Sequence, residues 1–230
     1  MKHSRAVTAK SLADLMLNLI IICAEAYSLI GVFARYGVKS FAYYTNLSNF
    51  LAFFASSVCS VCLVKMLFVG GKLPNFAVRL KYFAVTSLAV TVSVVLFALL
   101  PVLLYSSGGI TDGSVKITVS SLLLHLVCPL LAFVSFVAFE RTKLSFSLVV
   151  FAALPTLFYG LVMLFLNFSG MIVGPYPFFE VRSHKILAAV CCPLIPLAAL
   201  LFAFLFSLVK SQTTKKSPRI SRLSAYRRGF

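Results

Sequence analysis

The sequence is poor in charge and poorest in acid. Charged residues make up 11% of its 230 positions, and only five are Asp or Glu. A soluble domain usually carries about 25% charged and about 45–50% apolar residues. Here 61% are hydrophobic and the mean hydropathy is +1.03, an excess too large for an ordinary core. Short alternating segments are missing, which argues against a β-barrel. No internal repeat is convincing, and no GxxxG packing motif falls within the apolar runs. Nor is there a disulfide framework. Cys23, Cys59, Cys62, Cys128, Cys191 and Cys192 all lie inside apolar runs and read as small hydrophobes. Cys59 and Cys62 form a C-x-x-C pair, but no clear set of further ligands shares their depth, so no metal site is expected.

What is present is six apolar runs, each near or above the roughly 18 residues that cross a bilayer. They cover 12–33, 44–68, 83–105, 117–139, 144–166 and 186–208. They are apolar almost all round, which favours helix over strand. The chain therefore reads as an all-α polytopic membrane protein. A six-helix transmembrane domain spans 1–210, and a basic, disordered tail spans 211–230. Lys2, Arg5 and Lys10 before an apolar stretch, with Ala24-Glu25-Ala26, imitate a cleavable signal. The stretch runs on through Phe33, so a retained first helix is expected.

Lys and Arg set the expected topology. The N-terminal segment, the 65–81 and 140–143 turns and the C-terminal tail hold 16 of them, against five on the other side. The positive-inside rule then puts both termini in the cytoplasm of a cell-membrane protein. The formal charge of +16 flanks helix ends, so nucleic acid is not expected. The tail either fixes topology or touches anionic lipid headgroups.

Polar residues fall on helix faces. Ser11, Asp14, Asn18, Glu25 and Ser28 share one side of helix one, and Thr45, Ser48, Asn49, Ser56 and Cys59 share one side of helix two. Ser121, His125, Cys128, Ala132 and Ser135 align on helix four, with Pro129 four residues after His125. Such groups are costly in hydrocarbon and often mark function. The expected depths bring Thr45, His125, Glu25, Tyr159 and the Gly174-Pro175-Tyr176-Pro177-Phe178-Phe179 loop to one half of the bundle. Histidine is the usual base for a threonine hydroxyl. Asn46, Asn49 or a tyrosine hydroxyl such as Tyr44 could stabilise an oxyanion. A structural histidine, a catalytic base and a ligand or transport site all remain open readings of His125. The aromatic loop reads equally as a re-entrant cover or as an interfacial belt.

The segment Phe41-Ala42-Tyr43-Tyr44-Thr45-Asn46-Leu47-Ser48-Asn49, with His125 and the Pro-Tyr-Pro loop, resembles one superfamily. It is the six-helix androgen-induced-gene and androgen-dependent TFPI-regulating protein family, and especially its prokaryotic branch. The resemblance implies an intramembrane threonine hydrolase of fatty acyl esters. Thr45 would be the nucleophile and His125 the base, with an acyl-threonine intermediate and no metal or organic cofactor. Tyr44, Asn46, Asn49, Glu25, Tyr159 and Tyr176 are the candidate lining residues. The expected partners are membrane lipids and a fatty acyl ester. The alternatives are a lipid- or small-molecule-binding protein without chemistry, and a transporter using Asp14 and Glu25.

Overall fold

The computed structural model describes residues 2–99, 101, 118–139 and 144–215. Six helices in it are long and apolar enough to cross a membrane. In chain order α1 is Lys2–Tyr36, α2 is Tyr44–Val69 and α3 is Asn75–Val94, the last continued by a π turn over Val95–Leu99. Then α4 covers Val119–Phe139, α5 covers Phe146–Phe168 and α6 covers Lys185–Lys215. Counted as spans, with the π turn carrying α3 on to Phe97, the shortest is α4 with 21 residues, about 32 Å of helix against a hydrocarbon core of about 30 Å. The described residues contain no β-strand.

Burial is sorted as a bilayer demands. Ile30, Phe158, Leu161 and Ile186 face outward, while Asn18, Glu25, Asn49 and Ser135 are wholly enclosed. Lipid is as apolar as leucine, so packing of small residues and polar contacts must hold the helices together. Ala52, Ala55, Ala132, Ala152 and Ala203 accordingly sit in the central cluster. The most buried helix, α3, touches α2, α4, α5 and α6. Its Tyr82 stacks on Phe136 of α4 at 5.5 Å and donates to the Ala203 carbonyl of α6 at 2.6 Å.

The third helix begins earlier than its apolar run suggests. The run starts at Phe83 because Arg79 and Lys81 precede it, but the helix starts at Asn75, directly after Pro74. Lys81 is inside the protein, 2% exposed, with its ammonium 3.1 Å from Asp14 of α1. Asp14 also accepts from Asn18 and from Ser135 of α4. Lys210, assigned by sequence to the basic side, is likewise buried. It donates to the Phe136 carbonyl and lies 4.8 Å from the centre of that ring. Two of the lysines in the topology signal are thus internal partners. The basic end of α6 also extends as helix to Lys215, into the stretch expected to be disordered. Positions 100 and 102–105 of the third run, position 117 of the fourth, the 140–143 turn and the tail from 216 lie outside the described residues.

Helix α4 departs from regular winding. Leu123–Val127 form a π turn, and the Cys128 N–H donates to the Leu123 carbonyl five residues back. In an ordinary turn the Pro129 ring would clash with the carbonyl four residues earlier, that of His125. One extra residue in the preceding turn relieves this. It also resets which side chains face inward. Leu124, Cys128, Ala132 and Ser135 are buried, whereas Ser121 and His125 are half-buried.

Candidate functional site

Thr45 stands in the first turn of α2, where backbone N–H groups have no partner within the helix. The chain reaches it through a 3₁₀ turn, Gly37–Ala42. Gly37 begins that turn at φ 57°, a conformation that favours glycine. Asn46 fastens it by donating to the Ser40 carbonyl at 2.8 Å. On the opposite wall, Tyr159 of α5 donates to the Ala42 carbonyl at 2.7 Å.

The loop after α5 closes this end of the bundle. Asn167 donates to the Gly174 carbonyl and accepts from the Gly174 N–H, which pins the loop to the end of α5. Tyr176, Phe178 and Phe179 are all buried and pack together, Tyr176 stacked on Phe178 with centroids 5.1 Å apart and Phe179 tilted against Phe178 at 4.9 Å. Of the two sequence readings, the cover over the bundle matches this inward packing. The Tyr176 phenol oxygen faces the Thr45 hydroxyl and the backbone N–H groups of Thr45 and Tyr44. Burial pushes that phenol above its ordinary ionisation range, and the Thr45 and Tyr44 groups pull it part of the way back.

A narrow cleft of about 70 Å³ runs from this point between α3, α5 and α6. Thr45, Tyr44, Tyr176 and Thr156 form its polar end, and Val90, Leu161, Leu164 and Ile195 are among its apolar walls. Most hydroxyls here are already engaged. Tyr44 and Thr156 lie 2.6 Å apart, and Thr91 lies 2.7 Å from Ser48. Leu157 and Leu161 are also exposed on the outer surface of α5, so the cleft opens sideways toward the bilayer.

The structure thus gathers Tyr44, Thr45, Tyr159 and Tyr176 at one cleft. Asn46 holds the turn beneath it. Asn49 donates to the Thr45 carbonyl at 2.7 Å, but its Oδ1 points into the bundle without a partner. Glu25 is also inside, with its carboxyl group beside the Cys128 thiol. His125 does not line the cleft, and no hydrogen bond joins it to Thr45. Its Nδ1 meets the Ser121 carbonyl at 2.7 Å. A carbonyl can only accept, so Nδ1 carries the proton and a neutral ring presents Nε2 as a bare acceptor. Among the described residues no group of three or more His, Cys, Asp or Glu could hold a metal ion.

Sequence reasoning missed Thr156, Thr91 and Gly160. Thr156 left a readable trace: it is the polar residue nearest the middle of its apolar run. Thr91 is one of several hydroxyl residues on α3, and only the fold separates it from the rest. No family model, curated protein or solved structure matches the chain.

Proposed function

We propose that this multi-pass membrane protein binds an amphiphile drawn from the bilayer. Its apolar chain lies in the cleft between α3, α5 and α6, and its polar end rests against Thr45 and Tyr176. The observation that carries this reading is the continuity of the cleft, from lipid-facing Leu157 and Leu161 to a buried set of hydroxyls. Ligand sites are commonly apolar concavities with a few placed polar groups. The test is photo-crosslinking of the purified protein with a diazirine-bearing fatty alcohol. Adducts on α3, α5 or α6 along the cleft are expected, with weaker labelling in Thr45→Val. Adducts spread evenly over outward-facing residues would sink the reading.

A second reading makes the same site a lipid ester hydrolase. It is favoured by the position of Thr45 at the polar end and by the bare Nε2 of His125. The Thr45 oxygen would attack the ester carbonyl, His125 would take its proton and return it to the leaving alcohol, and water would release the acyl group. For this His125 must come within about 3 Å of the hydroxyl during the reaction. The backbone N–H groups of Thr45 and Tyr44 are suitable donors for the oxyanion. A lipophilic fluorophosphonate probe should then label wild type and spare both Thr45→Ala and His125→Ala. Equal labelling of His125→Ala removes the histidine from the chemistry.

A further inference from the structure

The cleft's polar end is made of hydroxyls, and they are unequally committed. Tyr44 and Thr156 bind each other, Thr91 binds Ser48, and Tyr159 is tied to the Ala42 carbonyl. The Thr45 and Tyr176 hydroxyls face each other at the mouth of this end, and each can both donate and accept, so a ligand hydroxyl or ester oxygen can join the pair. No Asp, Glu, Lys, Arg or His lines the cleft among the described residues. A phosphate or carboxylate placed there would be enclosed by aromatic rings and threonines without a counter-charge, which is strongly unfavourable.

The apolar part has its own signature. Leu157, Leu161 and Leu164 line it from one face of α5, and Gly160 stands among them. A Cβ built on Gly160 would meet no atom within 4 Å. The glycine is therefore not there to allow close helix approach. It leaves open space where the cleft meets the lipid-facing side of α5. The volume of about 70 Å³ is several times the roughly 10–15 Å³ that a single water needs. It is nevertheless small for two chains side by side.

Building on the amphiphile reading, we infer that the cleft selects a single-chain lipid with an uncharged, hydroxyl- or ester-bearing head, admitted from the bilayer past Gly160. A monoacylglycerol or a long-chain alcohol has this chemistry. A lysophospholipid or a free fatty acid does not.

The experiment uses the full-length protein in nanodiscs and a diazirine-bearing monoacylglycerol. Unlabelled competitors of equal chain length are a monoacylglycerol, a fatty alcohol, a fatty acid and a lysophosphatidylglycerol. The first two should compete at least about tenfold better than the last two. Gly160→Leu should lower cleft labelling about tenfold or more with no loss of thermal stability. Gly31→Leu, at an exposed glycine of α1 that also has nothing within 4 Å of an added Cβ, should label as wild type. Equal competition by the charged lipids, with adducts still in the cleft, overturns the head-group selection but leaves amphiphile binding intact. Wild-type labelling of Gly160→Leu overturns the access route. Absence of cleft adducts from every probe overturns the underlying reading and this inference with it.

Discussion

The hydroxyl of Tyr44, in the first turn of α2, lies 2.6 Å from the hydroxyl of Thr156 at the middle of α5, and both side chains are buried. The two residues are 112 positions apart in the chain, so the bond ties the head of one helix to the waist of another. Removing one partner strands the other in an apolar setting. Tyr44→Phe should therefore cost about 1–3 kcal/mol, the usual penalty for a buried group left unsatisfied. Thr156→Val should cost a similar amount. The double variant should be less destabilised than the two losses added together. Unfolding in a denaturing detergent series measures all four corners of the cycle, and strict additivity would show that the bond contributes nothing.

The Asp14–Lys81 pair makes a second, stronger case. Both side chains are almost fully enclosed, and Asp14 takes further donors from Asn18 and Ser135. Lys81→Met alone leaves a carboxylate buried without its cation, a loss of about 3–5 kcal/mol. Combining it with Asp14→Leu should restore much of the stability. If the single variant unfolds like wild type, water must reach Asp14.

Tyr176 should make the fold sensitive to alkali. Its phenol is held above the ordinary tyrosine range in the folded protein. Below about pH 10 the phenol is protonated in both states and nothing is lost. As pH rises further, the unfolded chain ionises first and gains stability, so the fold weakens. Tyr176→Phe should show a shallower fall in melting temperature above about pH 10. A fall as steep as in wild type would mean that burial of this phenol does not contribute.

Gly160 offers a prediction of opposite sign. An added Cβ meets nothing within 4 Å, and the residue sits inside α5. Glycine in a helix interior is less favourable than alanine by about 0.5–1 kcal/mol. Gly160→Ala should therefore raise the melting temperature. A drop would show that the cleft side of α5 is more crowded than the space around Gly160 implies.

The six-helix architecture was legible because hydrocarbon length and apolar run length are physically linked. The inward faces of α1 and α2 were legible for a related reason. Both helices wind regularly there, so Asp14, Asn18, Glu25 and Ser28, and likewise Ser48, Asn49, Ser56 and Cys59, stay in line and are buried. Two kinds of feature were not readable. Lys81 looked like a surface charge because its partner is 67 residues away, and a pair so distant leaves no periodic signal. His125 aligns with Cys128 only on an ideal helix, and the π turn breaks that alignment. At the cleft, Tyr44, Thr45, Tyr159 and Tyr176 are legible in the sequence through motif and depth. Their convergence depends on the loop pinned by Asn167, which no local pattern reveals.

The π turn also makes α4 a helix with a spare residue. Removing one residue between Leu123 and Val127 would let the segment close into ordinary α winding. Everything before the deletion, His125 included if the cut falls after it, would swing by about 100° relative to Cys128 and the residues beyond. The helix would shorten by about 1.5 Å, a small change against the thickness of a bilayer. The deletion would also bring back the clash of the Pro129 ring with the carbonyl four residues before it, at a cost of about 3 kcal/mol. Its effect would be to change which side chain of α4 looks into the interior beside Glu25.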